Sequence, residues 1–101
     1  MVKLIAMYKQ PDDPAAFDRA YFDTHMPLAL QMPGLIKAEA AKVTGAPGGG
    51  PAPYYMVSEL WFADMAALNA AMGSPQGKAA AKNLMGFAAK VVSMCFAEIQ
   101  S

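Results

Sequence analysis

The sequence predicts an α+β domain of order βαββαβ, with four strands in one antiparallel sheet and two helices on one of its faces. Three observations carry this. Four short runs alternate with period two or are continuously apolar, at 2–9, 35–44, 54–62 and 91–99. Helical runs between them open on Asp or Ser caps, two of which are followed directly by proline. The connections carry Pro-Gly punctuation.

The first strand places Val2, Leu4, Ala6 and Tyr8 on one face, with Ile5 and Met7 on the other. "PDDPAAFDRAYFDTHMP" then opens a helix with Asp13 as N-cap and Pro14 at its first position. On a helical wheel Phe17, Tyr21, Leu28 and Met32 share one side, Ala16, Arg19 and Asp23 the other, and Pro33-Gly34 is the stop. The 35–44 run is a weak strand, rich in Ala, Lys and Glu. "GAPGGGPAP" (45–53) reads as a flexible hairpin loop, and "YYMVSELWF" (54–62) is the clearest strand. Helices are expected at about 64–72, capped by Asp64, and from Ser74-Pro75 through "GKAAAKNLMGFA". "VVSMCFAEI" closes the chain as a strand. This is the split-βαβ, ferredoxin-like order, and right-handed crossovers put both helices on one sheet face.

One domain over 1–101 suits the length. Eight basic and eight acidic residues cancel, leaving no field to draw nucleic acid or an anionic membrane surface. The apolar runs are too short to span a bilayer, and the start lacks the features of a signal peptide. A lone Cys95 excludes an internal disulfide and suits a reducing compartment, so a cytoplasmic location is expected. Hydrophobic residues reach 55% and charged residues only 16%; ordinary domains have roughly 45–50% and 25%. The third and fourth strands read as apolar on both faces, so the sheet face opposite the helices is expected to be covered by a second copy in a homodimer.

The candidate site starts with His25, the only histidine. The wheel turns it about 40° from the centre of the apolar stripe, with Tyr21 one turn earlier on the same side. Pro27 has no N–H, so the carbonyl of Asp23 loses its helical partner and a kink is expected there. Two readings stand: a general acid/base or carbonyl-polarising group in a cleft, or a pin for the free carbonyl at the kink. Glu59 interrupts an apolar strand between Val57 and Trp61 and is a possible second titrating group; pairing with Lys3 or Lys9 is its structural alternative. Tyr8, Trp61 and Phe17 are candidates to line an apolar pocket. Cys95 reads as buried packing in a core strand. One His, one Cys and no carboxylates at ligand spacing argue against a metal, and no dinucleotide fingerprint supports a nicotinamide or flavin cofactor.

"YFDTHMPLALQMPGL" (21–35), together with "SPQGKAAAKNLMGFA" before the last strand, resembles the EthD family of the dimeric α/β-barrel superfamily. The resemblance rests on Tyr21, His25-x-Pro27, Pro33-Gly34-Leu35, Ser74-Pro75-x-Gly77 and Phe87, and covers nearly the whole chain. It implies sheets paired into a dimeric barrel. It also implies a small organic ligand, with Phe87 among its contacts and His25, Tyr21 and Glu59 as the catalytic candidates. The family is named for a protein linked to bacterial breakdown of a fuel ether, and relatives are often labelled reductases. The superfamily includes cofactor-free monooxygenases, lactone isomerases and polyketide cyclases. Members tend to carry Asp where this chain has Asn83. The function implied is an acid/base enzyme acting without a cofactor, by isomerisation, cyclisation or cofactor-free oxidation. A non-catalytic binding or accessory protein is the rival.

Overall fold

The computed structural model describes residues 1–101. Its order is β1 (Val2–Tyr8), α1 (Pro14–Asp18), a π-helical turn (Arg19–His25), α2 (Met26–Ala29), β2 (Lys37–Lys42), β3 (Met56–Phe62), α3 (Met65–Gly73), α4 (Pro75–Ala88) and β4 (Val92–Glu98). The sheet runs β2-β3-β1-β4, and all three pairings are antiparallel. The expected fold stands. No helix is long and apolar enough to cross a membrane.

The helix starts follow their caps. Asp13 accepts from the Ala16 N–H at 3.1 Å, Asp64 from Ala67 at 2.8 Å, and Ser74 from Gly77 at 3.0 Å. Each satisfies one of the amides that a helix N-terminus leaves without a partner. Asp18, at the end of α1, holds Lys42 and the Tyr55 hydroxyl at 2.8 Å each, fastening the first helical run to the β2–β3 end of the sheet. Burial alone would raise the Asp18 carboxyl, but the hydrogen bonds from Lys42 and Tyr55 outweigh it and hold it below its ordinary range.

Five expectations are corrected. The proline kink is a π-helical turn: the Met26 N–H bonds to the Tyr21 carbonyl, five residues back, and a new α-helical segment starts with Pro27 in its first turn. The wheel put Leu28 in the core, whereas Ala29 is buried and Leu28 is half-buried, because the wider turn shifts the register. The second sheet face is not uniformly apolar: it carries the Lys3–Glu59 ion pair at 2.8 Å, and Lys3 and Lys37 stand 5.3 and 4.8 Å from the Trp61 ring centre. Met94 and Phe96 pair across from Ala6 and Leu4, so they belong to the helix side of the sheet and lie exposed there on an edge strand. Cys95 is exposed and not packed, since it opposes Ile5 on the other face of that edge strand.

Two clusters of buried apolar side chains fill the space between helices and sheet. One gathers Val2, Leu60, Phe62, Leu68 and Ala71 with Ala29 and Met32. The other gathers Ala6, Tyr8, Met56, Phe17 and Tyr21 with Leu84 and Ala88. The α3–α4 junction bears directly on the first. A Cβ at Gly77 would come within 2.1 Å of the Ala71 carbonyl oxygen, a backbone atom with nowhere to move. Gly77→Ala should therefore destabilise the fold by about 3 kcal/mol, at the upper end of overpacking costs. In the same helix Gly86 has open space around its Cβ position. Gly86→Ala should be neutral or stabilise by up to about 1 kcal/mol. Denaturant unfolding of the two variants side by side checks this, and equal effects would contradict the close approach at residue 77.

Candidate functional site

Between the two apolar clusters lies a cavity of about 80 Å³. Small residues create it. On the inner face of the sheet Ser58 sits in register between Ala6 of β1 and Ala40 of β2. From the helices, Ala29, Gly77, Ala80 and Ala81 face the same space. Bulky side chains at either end, Tyr8, Tyr21 and Leu84 on one side and Leu60 and Met32 on the other, keep sheet and helices apart while this middle layer stays thin. The mouth is marked by Met72 at the end of α3 and Met94 on β4, which line the cavity and are 37% and 43% exposed. Unbranched thioether side chains suit a rim that must adapt to what passes.

The walls are mostly aliphatic, which makes their polar groups conspicuous. Apart from its phenols, the chain buries two polar side chains, His25 at 8% exposure and Ser58 at 2%, and both line this cavity. The π-helical turn explains His25. In an α-helix residues four apart drift by about 40° per step, so 17, 21, 25 and 29 would spread over about 120°. The extra residue in the turn cancels much of that drift, and all four are buried.

His25 Nδ1 lies 3.2 Å from Asn83 Oδ1 on α4. An amide oxygen only accepts, so Nδ1 carries the proton and Nε2 keeps the lone pair. Burial pushes the imidazole below its ordinary 6.5, and the hydrogen bond to Asn83 offsets only part of this. The ring is packed in place by Tyr21, with centroids 5.4 Å apart, and by Phe87 at 6.1 Å. Phe17 stacks on Tyr21 at 6.2 Å and meets Tyr8 and Phe87 at 5.4 Å each.

The structure brings together His25, Tyr21 and Tyr8 of the expected site. Phe17 and Phe87 stand one layer behind, as the backing of Tyr21 and His25. Glu59 and Trp61 do not join them: both lie on the opposite face of the sheet, Glu59 ion-paired with Lys3 and Trp61 flanked by lysines. The strand's period of two separates them from Ser58 and Leu60. Ser58 is the site residue that sequence reasoning passed over. Its signal was a single polar residue at an inward position of "MVSELWF", between Met56 and Leu60. Asn83 stood out only as a departure from the family pattern; its contact with His25 comes from the packing of α4 on the π-helical turn.

Residues 9–90 match the EthD domain. An uncharacterized 11.0 kDa protein of the thcB-thcC intergenic region of Rhodococcus erythropolis is 35% identical, covering 97% of this chain and 94% of that one. The crystal structure of an ethyl tert-butyl ether d (EthD) family protein from Bacillus halodurans superposes with a TM-score of 0.94 at 40% identity, over 99% of each chain. Two more distant structures share the fold alone. One is SnoaB, a cofactor-independent oxygenase from Streptomyces nogalater, with 14% identity, TM-score 0.72 and coverage of 99% and 93%. The other is a dimeric ferredoxin-like protein of unknown function from Jannaschia, with 21% identity, TM-score 0.71 and coverage of 97% and 98%. With its matched domain, its near-complete alignment to these relatives and its βαββαβ fold, the chain belongs to the EthD family.

Proposed function

We propose that this protein is a small homodimeric enzyme that moves protons on a small, partly apolar organic molecule, with His25 as the base. One observation carries the reading: a neutral, buried imidazole walls an aliphatic cavity while its other nitrogen is committed to Asn83. A base works best when it is unprotonated at working pH, held in one orientation and kept from bulk water. Asn83 supplies the orientation and fixes the tautomer, leaving Nε2 to accept a proton. Tyr21, packed against the ring, supports its position. SnoaB, which shares the fold, is named a cofactor-independent oxygenase, and this supports a reading that needs no cofactor.

The homodimer rests on exposed apolar surface. A single chain buries only 19 of its 101 residues and leaves Ile36, Leu30, Phe96, Met85 and Met94 in water. Surface of this kind is usually covered by a partner, and the Jannaschia protein of the same fold is described as dimeric. Sedimentation at micromolar concentration should give a dimer; a stable monomer there would overturn this part.

Catalysis is read as loss of the α-proton NMR signal of cyclopentanone in D2O. The wild type should accelerate exchange over buffer, and His25→Gln should lose at least about 100-fold of that rate with circular dichroism unchanged. No acceleration by the wild type, or equal rates in the two proteins, refutes the base. Bound ketone without exchange would instead favour a binding or accessory protein.

The acidic limb of the rate profile should fall below the ordinary histidine value of 6.5, because burial holds the folded imidazole lower. Asn83→Asp places a carboxylate beside Nδ1 and should move that limb upward. Stability follows the same linkage. Below pH 6.5 the unfolded chain binds a proton that the folded chain does not, so stability should fall as pH drops from 6.5 toward the lower folded value. Unfolding midpoints measured from pH 7.5 to 5 should show this decline, and in His25→Gln it should be shallower.

A further inference from the structure

We propose that the cavity holds an oxygen-binding subsite, in which the hydroxyls of Ser58, Tyr8 and Tyr21 grip the carbonyl oxygen of a small, uncharged, enolisable ketone or aldehyde whose α-carbon lies against His25. The inference deepens the acid/base reading and rests on it for the reaction, though not for the binding.

Three hydroxyl-bearing side chains from two elements of the sheet and one helical turn line one cavity of about 80 Å³ whose walls are otherwise aliphatic. Tyr8 and Tyr21 are each 1% exposed and Ser58 is 2% exposed. Their rings meet edge to face, 5.6 Å between centroids. Burying hydroxyls in such surroundings is unfavourable unless they find polar partners. An alanine at 58 and phenylalanines at 8 and 21 would serve packing without that cost. The three hydroxyls bond among themselves, Ser58 with both phenols and Tyr8 with Tyr21, and together they form a cluster of donors that a carbonyl oxygen in the cavity can join.

The same wall excludes charged ligands. No Lys, Arg, Asp or Glu lines the cavity, so nothing there offsets the desolvation of a carboxylate, phosphate or ammonium. Of the sheet's charged residues, Lys3, Glu59, Lys37 and Glu39 lie on its other face, and Lys42 and Glu98, in register with Met56 and Val2, are on the helix side but do not line the cavity. The ligand's polar atom is therefore a neutral acceptor, and its body is apolar. The phenols are suited to donate, since burial raises both above their ordinary value of 10 and keeps them protonated at neutral pH; Ser58 offsets part of this.

The chemistry balances without a further reactant. The α C–H bond breaks and its proton passes to His25 Nε2. The bonding pair forms a C=C bond, and the carbonyl π pair moves onto the oxygen, where the hydroxyls stabilise the enolate. When the proton on Nε2 is replaced by one from solvent before return to the same carbon, the result is exchange; return to the far carbon of a conjugated substrate gives a double-bond shift.

The test uses saturation-transfer NMR with cyclopentanone and with methylcyclopentane, its counterpart without oxygen. Cyclopentanone should bind the wild type, and Ser58→Ala and Tyr21→Phe should each weaken it up to about tenfold, the range of one hydrogen bond. Methylcyclopentane should bind Ser58→Ala at least as well as it binds the wild type. Equal ketone affinity in the wild type and both variants overturns the subsite. So does hydrocarbon binding as tight as the ketone's, or no ketone binding at millimolar concentration. His25→Gln separates the two readings. If ketone binding depends on the hydroxyls and no protein catalyses exchange, the subsite stands and the base is refuted.

Discussion

The site depends on one backbone feature, the hydrogen bond from the Met26 amide to the Tyr21 carbonyl five residues back. An α-helix through Arg19–His25 would rotate successive fourth residues away from the sheet. The π-helical turn instead keeps Phe17, Tyr21, His25 and Ala29 buried in sequence. Pro27 suits this arrangement because it has no amide to offer the turn before it and fits the first turn of the helix after it. Turns of this kind recur at functional sites, because they interrupt helical packing at a defined place.

That interruption has a counterpart in the sheet. Ser58 and its register neighbours Ala6 and Ala40 thin the inner surface where the helices present Ala29, Gly77, Ala80 and Ala81. The apolar interior is consequently split in two, and the gap between the parts is the cavity. A domain of this size gives up favourable packing when it leaves such a gap. The loss is located where the buried polar groups converge, as expected when a local packing rule is relaxed for function.

Much of this was legible in the sequence because it follows from local chemistry. Caps at Asp13, Asp64 and Ser74 announced their helices through a side chain and an amide three residues on. The alternation of β1 sorted Val2, Leu4, Ala6 and Tyr8 from Ile5 and Met7. His25 and Tyr21 were adjacent on any helical wheel. Glu59 and Trp61 were misplaced for a physical reason: an apolar run gives no signal for which of its two faces meets the helices. Cys95 was read as interior because a continuous apolar strand resembles a central one, whereas β4 is an edge of the sheet.

What the sequence alone determined, then, is the order of elements and the helix starts, which rest on contacts within a few residues, and the family, which rests on motifs such as His25-x-Pro27 and Ser74-Pro75-x-Gly77. Only the tertiary structure decided that the helix widens into a π turn, that Ser58 shares a cavity with His25, and that Asn83 holds the imidazole by Nδ1 and leaves Nε2 free. Those facts join residues as far apart as 58 positions in the chain. No local rule links them, because their distances are set by how the helices settle on the sheet.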